Sequence, residues 1–286
     1  MGETKRHHYV PRCYLKYFSN DGTNINTFII GENKMPNPIT MKGVCVQKNF
    51  YTLGEAEALN AGVNENYIEK DFFEKQVEPQ LDRTIILFEG LKIAIEKHGS
   101  SGGFELPVEN QRIIAQLILI QYFRVPRARN EVINKLSEYL SVKELADIDK
   151  VAAHASYTFL NEPFIKSLVD KLMSDYWIVR IHPGGDFYTS DNPVVVIDNG
   201  KLSNGIWNVK ARIGATNTAI FYPLTNEMVL EIYDTVGFPE VALVNNTVQF
   251  SNEEYTRKLN TYQYLNAEKF VISKDGKFDL FIRQIK

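Results

Sequence analysis

The spacing of apolar residues changes twice along the chain, and this order constrains the fold more than any other feature of the sequence. Residues 1–66 combine loops with short apolar runs, residues 67–175 repeat apolar positions every three to five residues as helices do, and residues 176–286 return to short strand-like runs. Helices and strands segregated in this way predict an α+β fold rather than alternating βαβ units. We expect a single domain over residues 1–286, with a helical middle between antiparallel N-terminal and C-terminal strands that come together.

Three local signals describe the helical middle. Residues 107–123 are apolar on nearly every side, so we expect this helix to be buried at the centre. Pro79 should kink or split the helix that contains it, and Ser141 with Glu144 makes a capping box that should begin another. The helices that the spacing predicts cover residues 68–95, 107–123, 126–140, 142–160, 162–173 and 252–265.

Turn signals separate the predicted strands. Residues 225–227 and 275–276 each lie between two apolar runs, as in hairpins, and residues 55–66 have the composition of a mobile surface loop. The predicted strands cover residues 26–30, 44–50, 51–53, 176–181, 187–189, 194–197, 219–224, 228–233, 270–273 and 278–283.

Charge and composition exclude several classes of protein. The net charge is −3, so any contact with nucleic acid requires a local basic patch. Cys13 and Cys45 have no metal-binding spacing, and the chain has neither a P-loop nor a GxGxxG motif, so we expect no metal and no cofactor. We expect a cytosolic protein without membrane association, because neither a signal-peptide pattern nor an apolar run of membrane-spanning length is present.

The first candidate functional stretch is residues 6–18, which contain two histidines, two arginines and three tyrosines. Imidazole titrates near neutral pH and suits general acid–base catalysis. Neighbouring side chains on an extended segment point to opposite faces, so at most one of His7 and His8 should enter a given site, and we favour His8. His7 and Arg12 are candidate phosphate ligands. The alternative gives both histidines structural roles, one in a buried hydrogen bond and one at the surface.

A second cluster of polar residues lies at the C-terminal end of the predicted central helix. Gln121 and Arg124 lie on one helix face, and Arg127 and Arg129 follow after a proline turn. Because a guanidinium group binds phosphate or carboxylate through paired hydrogen bonds, we predict that Gln121, Arg124 and Arg127 bind an anion. A structural role suits Arg129 better. A buried Arg124 needs a partner, which is either a ligand or Asp191.

The third cluster is the sequence SDNP at residues 190–193. Serine and asparagine are ordinary turn residues, so Ser190 and Asn192 are best explained by a turn. Asp191 is the one acid close to any of these motifs. It could orient His8 or bind Arg124 in a catalytic site, or it could hold the turn, and the sequence leaves these alternatives open.

These motifs together resemble a known family. The sequences HHYVP at residues 7–11, QYFRVPR at 121–127, FYTSDNPV at 187–194 and IFYPL at 220–224 resemble the ordered motifs of the bacterial family catalogued as domain of unknown function 4238. Val125 stands where threonine is more frequent in that family. The resemblance covers nearly the whole chain and implies a shared fold and a set of positions, with no established activity. It also implies an association with bacterial defence or toxin-like factors.

Three hypotheses follow for the function. In the first, His8, Arg124 and Asp191 converge as catalytic residues of a metal-independent nuclease that cleaves RNA, with the 2′-hydroxyl of the substrate as nucleophile. In the second, the motifs form a non-catalytic module that binds an anionic ligand or a protein partner. In the third, they are a polar network that attaches the N-terminal segment to the helical core.

Overall fold

The computed structural model describes residues 6–99, 102–201, 207–209 and 211–278. It confirms the predicted α+β class, with antiparallel strands from both ends of the chain around a helical middle. The expectation of a single domain stays a prediction.

The N-terminal segment is mostly short elements. Its helices and strands are β1 (Arg6–His8), α1 (Arg12–Leu15), β2 (Asn24–Ile29), β3 (Ile39–Thr40), β4 (Val46–Lys48) and α2 (Glu55–Asn60). The prediction of strands across residues 44–53 is wrong outside β4, because Cys45 (φ 53°) and Asn49 (φ 52°) adopt left-handed backbone conformations that end the strand on both sides. The predicted loop over residues 55–66 is wrong where α2 forms; Glu55 and Glu57 lie in its first turn, where acids favour a helix.

The middle segment is helical. It contains a π-helix (Ile68–Val77), α3 (Glu78–His98), the short strand β5 (Gly102–Gly103), α4 (Val108–Phe123), α5 (Pro126–Ser137), α6 (Val142–Asp147), α7 (Lys150–Tyr157) and α8 (Glu162–Met173). Pro79 marks the predicted split, since α3 begins beside it and a proline is tolerated in a first helical turn. The capping box of Ser141 and Glu144 is confirmed. The single helix predicted over residues 142–160 is wrong: Asp149 accepts hydrogen bonds from two backbone N–H groups and begins a separate helix, α7.

The C-terminal segment alternates strands with one long helix. Its elements are β6 (Tyr176–Ile181), β7 (Thr189–Ser190), β8 (Val195–Lys201), β9 (Trp207–Val209), β10 (Thr218–Thr225), β11 (Met228–Tyr233), β12 (Thr247–Phe250), α9 (Glu253–Asn266) and β13 (Phe270–Ser273). The β10–β11 hairpin is confirmed. The strand predicted over residues 278–283 lies outside the described residues from position 279 onward.

The described strands form three sheets. Seven strands are ordered β5-β12-β6-β11-β10-β8-β9, four are ordered β3-β2-β13-β7, and β1 pairs with β4. Pairing among the described strands is antiparallel except between β12 and β6. In the four-stranded sheet, β13 pairs with β2 from Phe270↔Ile29 to Ser273↔Asn26, so strands from the two ends of the chain meet as predicted.

Helix α4 is the buried central helix that the sequence predicts. Ile114, Leu117 and Ile118 are at most 5% exposed, and the helix packs against α8. The next residues are Arg124, its C-cap, and Val125, whose extended backbone precedes Pro126. This geometry places the end of α4 beneath the N-terminal segment. No helix in the described part of the chain is long and apolar enough to span a membrane.

Candidate functional site

Two of the sequence motifs meet through hydrogen bonds that side chains donate to backbone carbonyl groups. Gln121 donates a side-chain N–H to the carbonyl oxygen of Tyr9 (3.2 Å), and Nη2 of Arg124 donates to the carbonyl oxygen of His8 (2.8 Å). The end of α4 therefore holds the chain on the C-terminal side of β1. The structure thus brings His8, Gln121 and Arg124 together, although the His8 contact uses its backbone rather than its ring.

The two histidines point in opposite directions, as expected for neighbours on a strand. His7 is buried; its Nδ1 accepts a hydrogen bond from the backbone N–H of Tyr51 (2.8 Å), and its ring stacks on the Tyr51 ring. His8 is half-buried, and its Nε2 lies 3.2 Å from the carbonyl oxygen of Met41. His7 therefore belongs to the core packing, while the His8 ring is the one in position to meet a ligand.

His8 lines a cleft of about 490 Å³ between the N-terminal segment and the start of the helical middle. The cleft has four other basic side chains and three acids. Its lining residues are Arg6, His8, Arg12, Lys42, Glu69, Lys70, Glu74 and Glu78. Such a mixture of cations with a histidine suits a ligand that carries negative charge and hydrogen-bonding groups.

The environment keeps His8 neutral. The pKa of its imidazole is lowered to about 4, mainly by burial and also by the positive charges of Arg12 and Arg124, while the hydrogen bond to Met41 acts in the opposite direction. A carbonyl oxygen can only accept a hydrogen bond, so the proton lies on Nε2 and the lone pair lies on Nδ1. At neutral pH the ring is therefore able to accept a proton.

Glu69 is one of the lining residues that the sequence did not single out. It lies in the π-helix (Ile68–Val77), a rare backbone form that is frequent at functional sites. Its Oε2 is buried and has no hydrogen-bond partner among the described residues. Burial raises the pKa of this carboxyl to about 7, although the nearby charge of Arg124 lowers it. Glu69 is therefore partly protonated at neutral pH.

Arg124 lies beneath the cleft and is 1% exposed. Besides its bond to the His8 carbonyl, Nη2 contacts Oε1 of Glu78 at 3.2 Å, and the guanidinium carbon lies 3.9 Å from the centre of the Phe73 ring. Its Nε and Nη1 are buried, and neither has a hydrogen-bond partner within the part of the chain that the structure describes. The acid that pairs with Arg124 is thus Glu78, rather than the Asp191 considered from the sequence.

Asp191 has a different set of partners. Its carboxylate accepts hydrogen bonds from the backbone N–H groups of Glu268 (3.0 Å) and Lys269 (2.7 Å), just after α9. Asp191 is 3% exposed, and its pKa is raised to about 6 because burial outweighs the opposite effect of these N–H groups. The geometry supports the turn-holding role for Asp191, because both carboxylate oxygens are used to hold the chain between α9 and β13.

The remaining predicted residues divide between the cleft and the packing. Arg12 lines the cleft. Arg127 donates from Nη1 to the carbonyl oxygen and to Oδ1 of Asn266 (3.2 and 2.9 Å), which attaches α5 to the end of α9. Arg129 donates to the carbonyl oxygen of Phe50 and covers the ring of that residue, in agreement with the structural role that the sequence favoured.

No signal in the sequence pointed to Glu69, since it lies outside every motif and shares a cleft with His8 only in the folded chain. Across the part of the chain that the structure describes, no group of three histidine, cysteine, aspartate or glutamate side chains is arranged to hold a metal ion.

The fold and the site define an α+β protein with a polar cleft that contains a histidine, between its N-terminal segment and the first long helix. The chain belongs to the family described as protein of unknown function (DUF4238), whose model matches residues 6–277. No curated protein and no solved structure is significantly similar to the chain.

Proposed function

We propose that the cleft binds RNA and cleaves its phosphodiester bonds without a metal ion. The observation that carries this proposal is the neutral His8 ring in a cleft with four basic side chains. The cations attract and orient the phosphate, and Nδ1 of His8 accepts the proton of the ribose 2′-hydroxyl, which then attacks phosphorus. A bound phosphate adds negative charge beside the ring and raises the pKa of His8 toward neutrality, which makes it a stronger base.

A protein that cleaves cellular RNA would act in the cytoplasm and could serve in bacterial defence or as a toxin. We include the cytoplasmic location and the defence or toxin-like role in this proposal. The second candidate is a module that binds an anionic ligand without cleaving it. The four basic side chains of the cleft support that function equally well, because they require only charge and not proton transfer.

The test is a cleavage assay with labelled RNA and DNA, each with magnesium and with a chelator. The proposal expects cleavage of RNA in chelator, and a loss of about 100-fold or more in His8→Ala. His182→Ala is the matched control, since its ring bonds Oγ1 of Thr256 and does not line the cleft.

Binding of RNA without cleavage by the wild type supports the second candidate instead. Cleavage that requires magnesium, or that His8→Ala retains, contradicts the mechanism. Both variants should have the circular dichroism spectrum of the wild type before their rates are compared.

A further inference from the structure

The three acids of the cleft differ in their partners. Glu74 pairs with Lys70 at 2.6 Å, and Glu78 contacts Arg124 at 3.2 Å. Oε2 of Glu69, in contrast, is buried without a hydrogen-bond partner in the described structure. An unpaired buried carboxyl oxygen is costly unless it is protonated or bound to a ligand. Glu69 is therefore the acid of this cleft whose surroundings favour a bound proton, and its side chain also lines the cleft.

The surroundings of Glu69 favour its protonated form. Burial is the largest effect, and it outweighs the attraction of Arg124, while Glu78 and Glu74 add to it by repulsion and Lys70 opposes it. The charged and titratable groups that face Glu69, across the cleft or from the packed elements, are Arg6, His8, Arg12, Lys42, Tyr51, Lys70, Glu74, Glu78 and Arg124. A partly protonated Glu69 and a neutral His8 thus line the same cleft at neutral pH. Two titratable groups whose surroundings shift them in opposite directions are the pattern expected of an acid and a base.

We propose that Glu69 is the general acid of the cleft and protonates the oxygen that leaves when RNA is cleaved. The proposal rests on the proposed function and completes its proton transfers. The bond from the 2′-oxygen to phosphorus forms, and the 2′-hydroxyl proton passes to Nδ1 of His8. The bond from phosphorus to the 5′-oxygen breaks, and this oxygen takes its proton from Glu69. The products are a 2′,3′-cyclic phosphate and a free 5′-hydroxyl, and exchange with water returns both side chains to their starting forms.

This assignment also defines the substrate class. A ribose 5′-alkoxide is a poor leaving group, so its departure needs a proton, and DNA lacks the 2′-hydroxyl that attacks. The substrate is therefore RNA, with a free 2′-hydroxyl on the nucleotide that attacks and an alcohol 5′-oxygen as the leaving group.

The test compares two substrates that differ only in the leaving group. One is a ribodinucleotide, and the other is a ribonucleoside 3′-nitrophenyl phosphate, whose nitrophenolate leaves without a proton. Glu69→Gln should slow cleavage of the dinucleotide by about 100-fold or more and should change cleavage of the nitrophenyl ester by less than about threefold. His8→Ala should slow both, because both reactions use the 2′-hydroxyl. Asp71→Asn, on the same helix but outside the cleft lining and paired with Lys75, should slow neither.

A second measurement needs no variant. The wild-type rate on the dinucleotide should fall as pH rises above about 7, whereas the rate on the nitrophenyl ester should not. Equal losses on both substrates in Glu69→Gln, or an alkaline decline common to both substrates, overturn the assignment of Glu69. If the wild type cleaves neither substrate, the proposed function itself is wrong.

Discussion

Replacement of Glu69 by glutamine should stabilise the protein, and the gain should grow with pH. Burial raises the pKa of Glu69 from 4.5 to about 7, so between these values the folded chain binds more protons than the unfolded chain. The stability that the protonated carboxyl contributes is fully present below the unfolded pKa and is lost as pH rises through the folded pKa. Glutamine has nearly the same shape and does not titrate, so the variant escapes this loss.

The size of this gain follows from the pKa shift of Glu69. One pKa unit corresponds to about 1.4 kcal/mol of free energy, so a rise of the pKa from 4.5 to about 7 lowers the free energy of unfolding of the wild type by about 3 kcal/mol from acidic to alkaline pH. Relaxation around the charged side chain reduces this figure, and we expect a change of about 2 kcal/mol in the stability difference between variant and wild type. Asp191 and Asp186 also have pKa values raised by burial, to about 6 and about 7, but they titrate in both proteins and cancel in the difference.

The assay is urea unfolding of the wild type and Glu69→Gln between about pH 5 and about pH 8. Glu74→Gln is the control, because its carboxylate is exposed and paired with Lys70, and its stability difference from the wild type should stay nearly constant with pH. If the difference for Glu69→Gln is also constant within about 0.5 kcal/mol, the carboxyl is not protonated in the folded protein, and the argument for an acid–base pair loses its basis.

Two further predictions concern the packing around the site. Tyr14 and Tyr222 stack with their ring centres 5.4 Å apart. The Tyr14 hydroxyl has two buried hydrogen-bond partners at 2.7 Å, whereas the Tyr222 hydroxyl has none among the residues that the structure describes. Tyr14→Phe should therefore lower the free energy of unfolding in urea by about 1–3 kcal/mol, whereas Tyr222→Phe should leave it unchanged or raise it. Equal losses in the two variants would contradict these hydrogen bonds. Arg124→Met should cost about 3 kcal/mol or more by the same measurement, since it leaves Glu78 and the His8 carbonyl unpaired; a cost below about 1 kcal/mol would show that these bonds contribute little.

Much of the fold could be predicted because local signals and tertiary structure agree. The predicted helix over residues 162–173 matches α8, the predicted strand over 176–181 matches β6, and the apolar sequence of α4 matches its buried position. The errors lie where one residue overrides the pattern around it. The left-handed backbone at Cys45 and the cap at Asp149 each end an element that composition alone would continue.

The site was less predictable than the fold. The motif residues were found because polar groups cluster within short stretches, yet the structure uses several of these residues, among them His7, Arg127 and Asp191, to fix the chain. Glu69 and Glu78, which line the cleft with His8, come from a helical stretch with no motif. Their place in the same cleft depends on long-range packing, which spacing along the chain does not encode.

The order of strands in the four-stranded sheet has a consequence for biosynthesis. Strand β13 lies between β2 and β7. Strand β2 is made at the beginning of translation, but it can pair with β13 only when most of the chain has left the ribosome. Until then one edge of β2 carries unpaired N–H and carbonyl groups, which a second nascent chain could pair with. Synthesis should therefore be the stage at which this protein is most prone to aggregate and most dependent on chaperones, even if the finished molecule is stable.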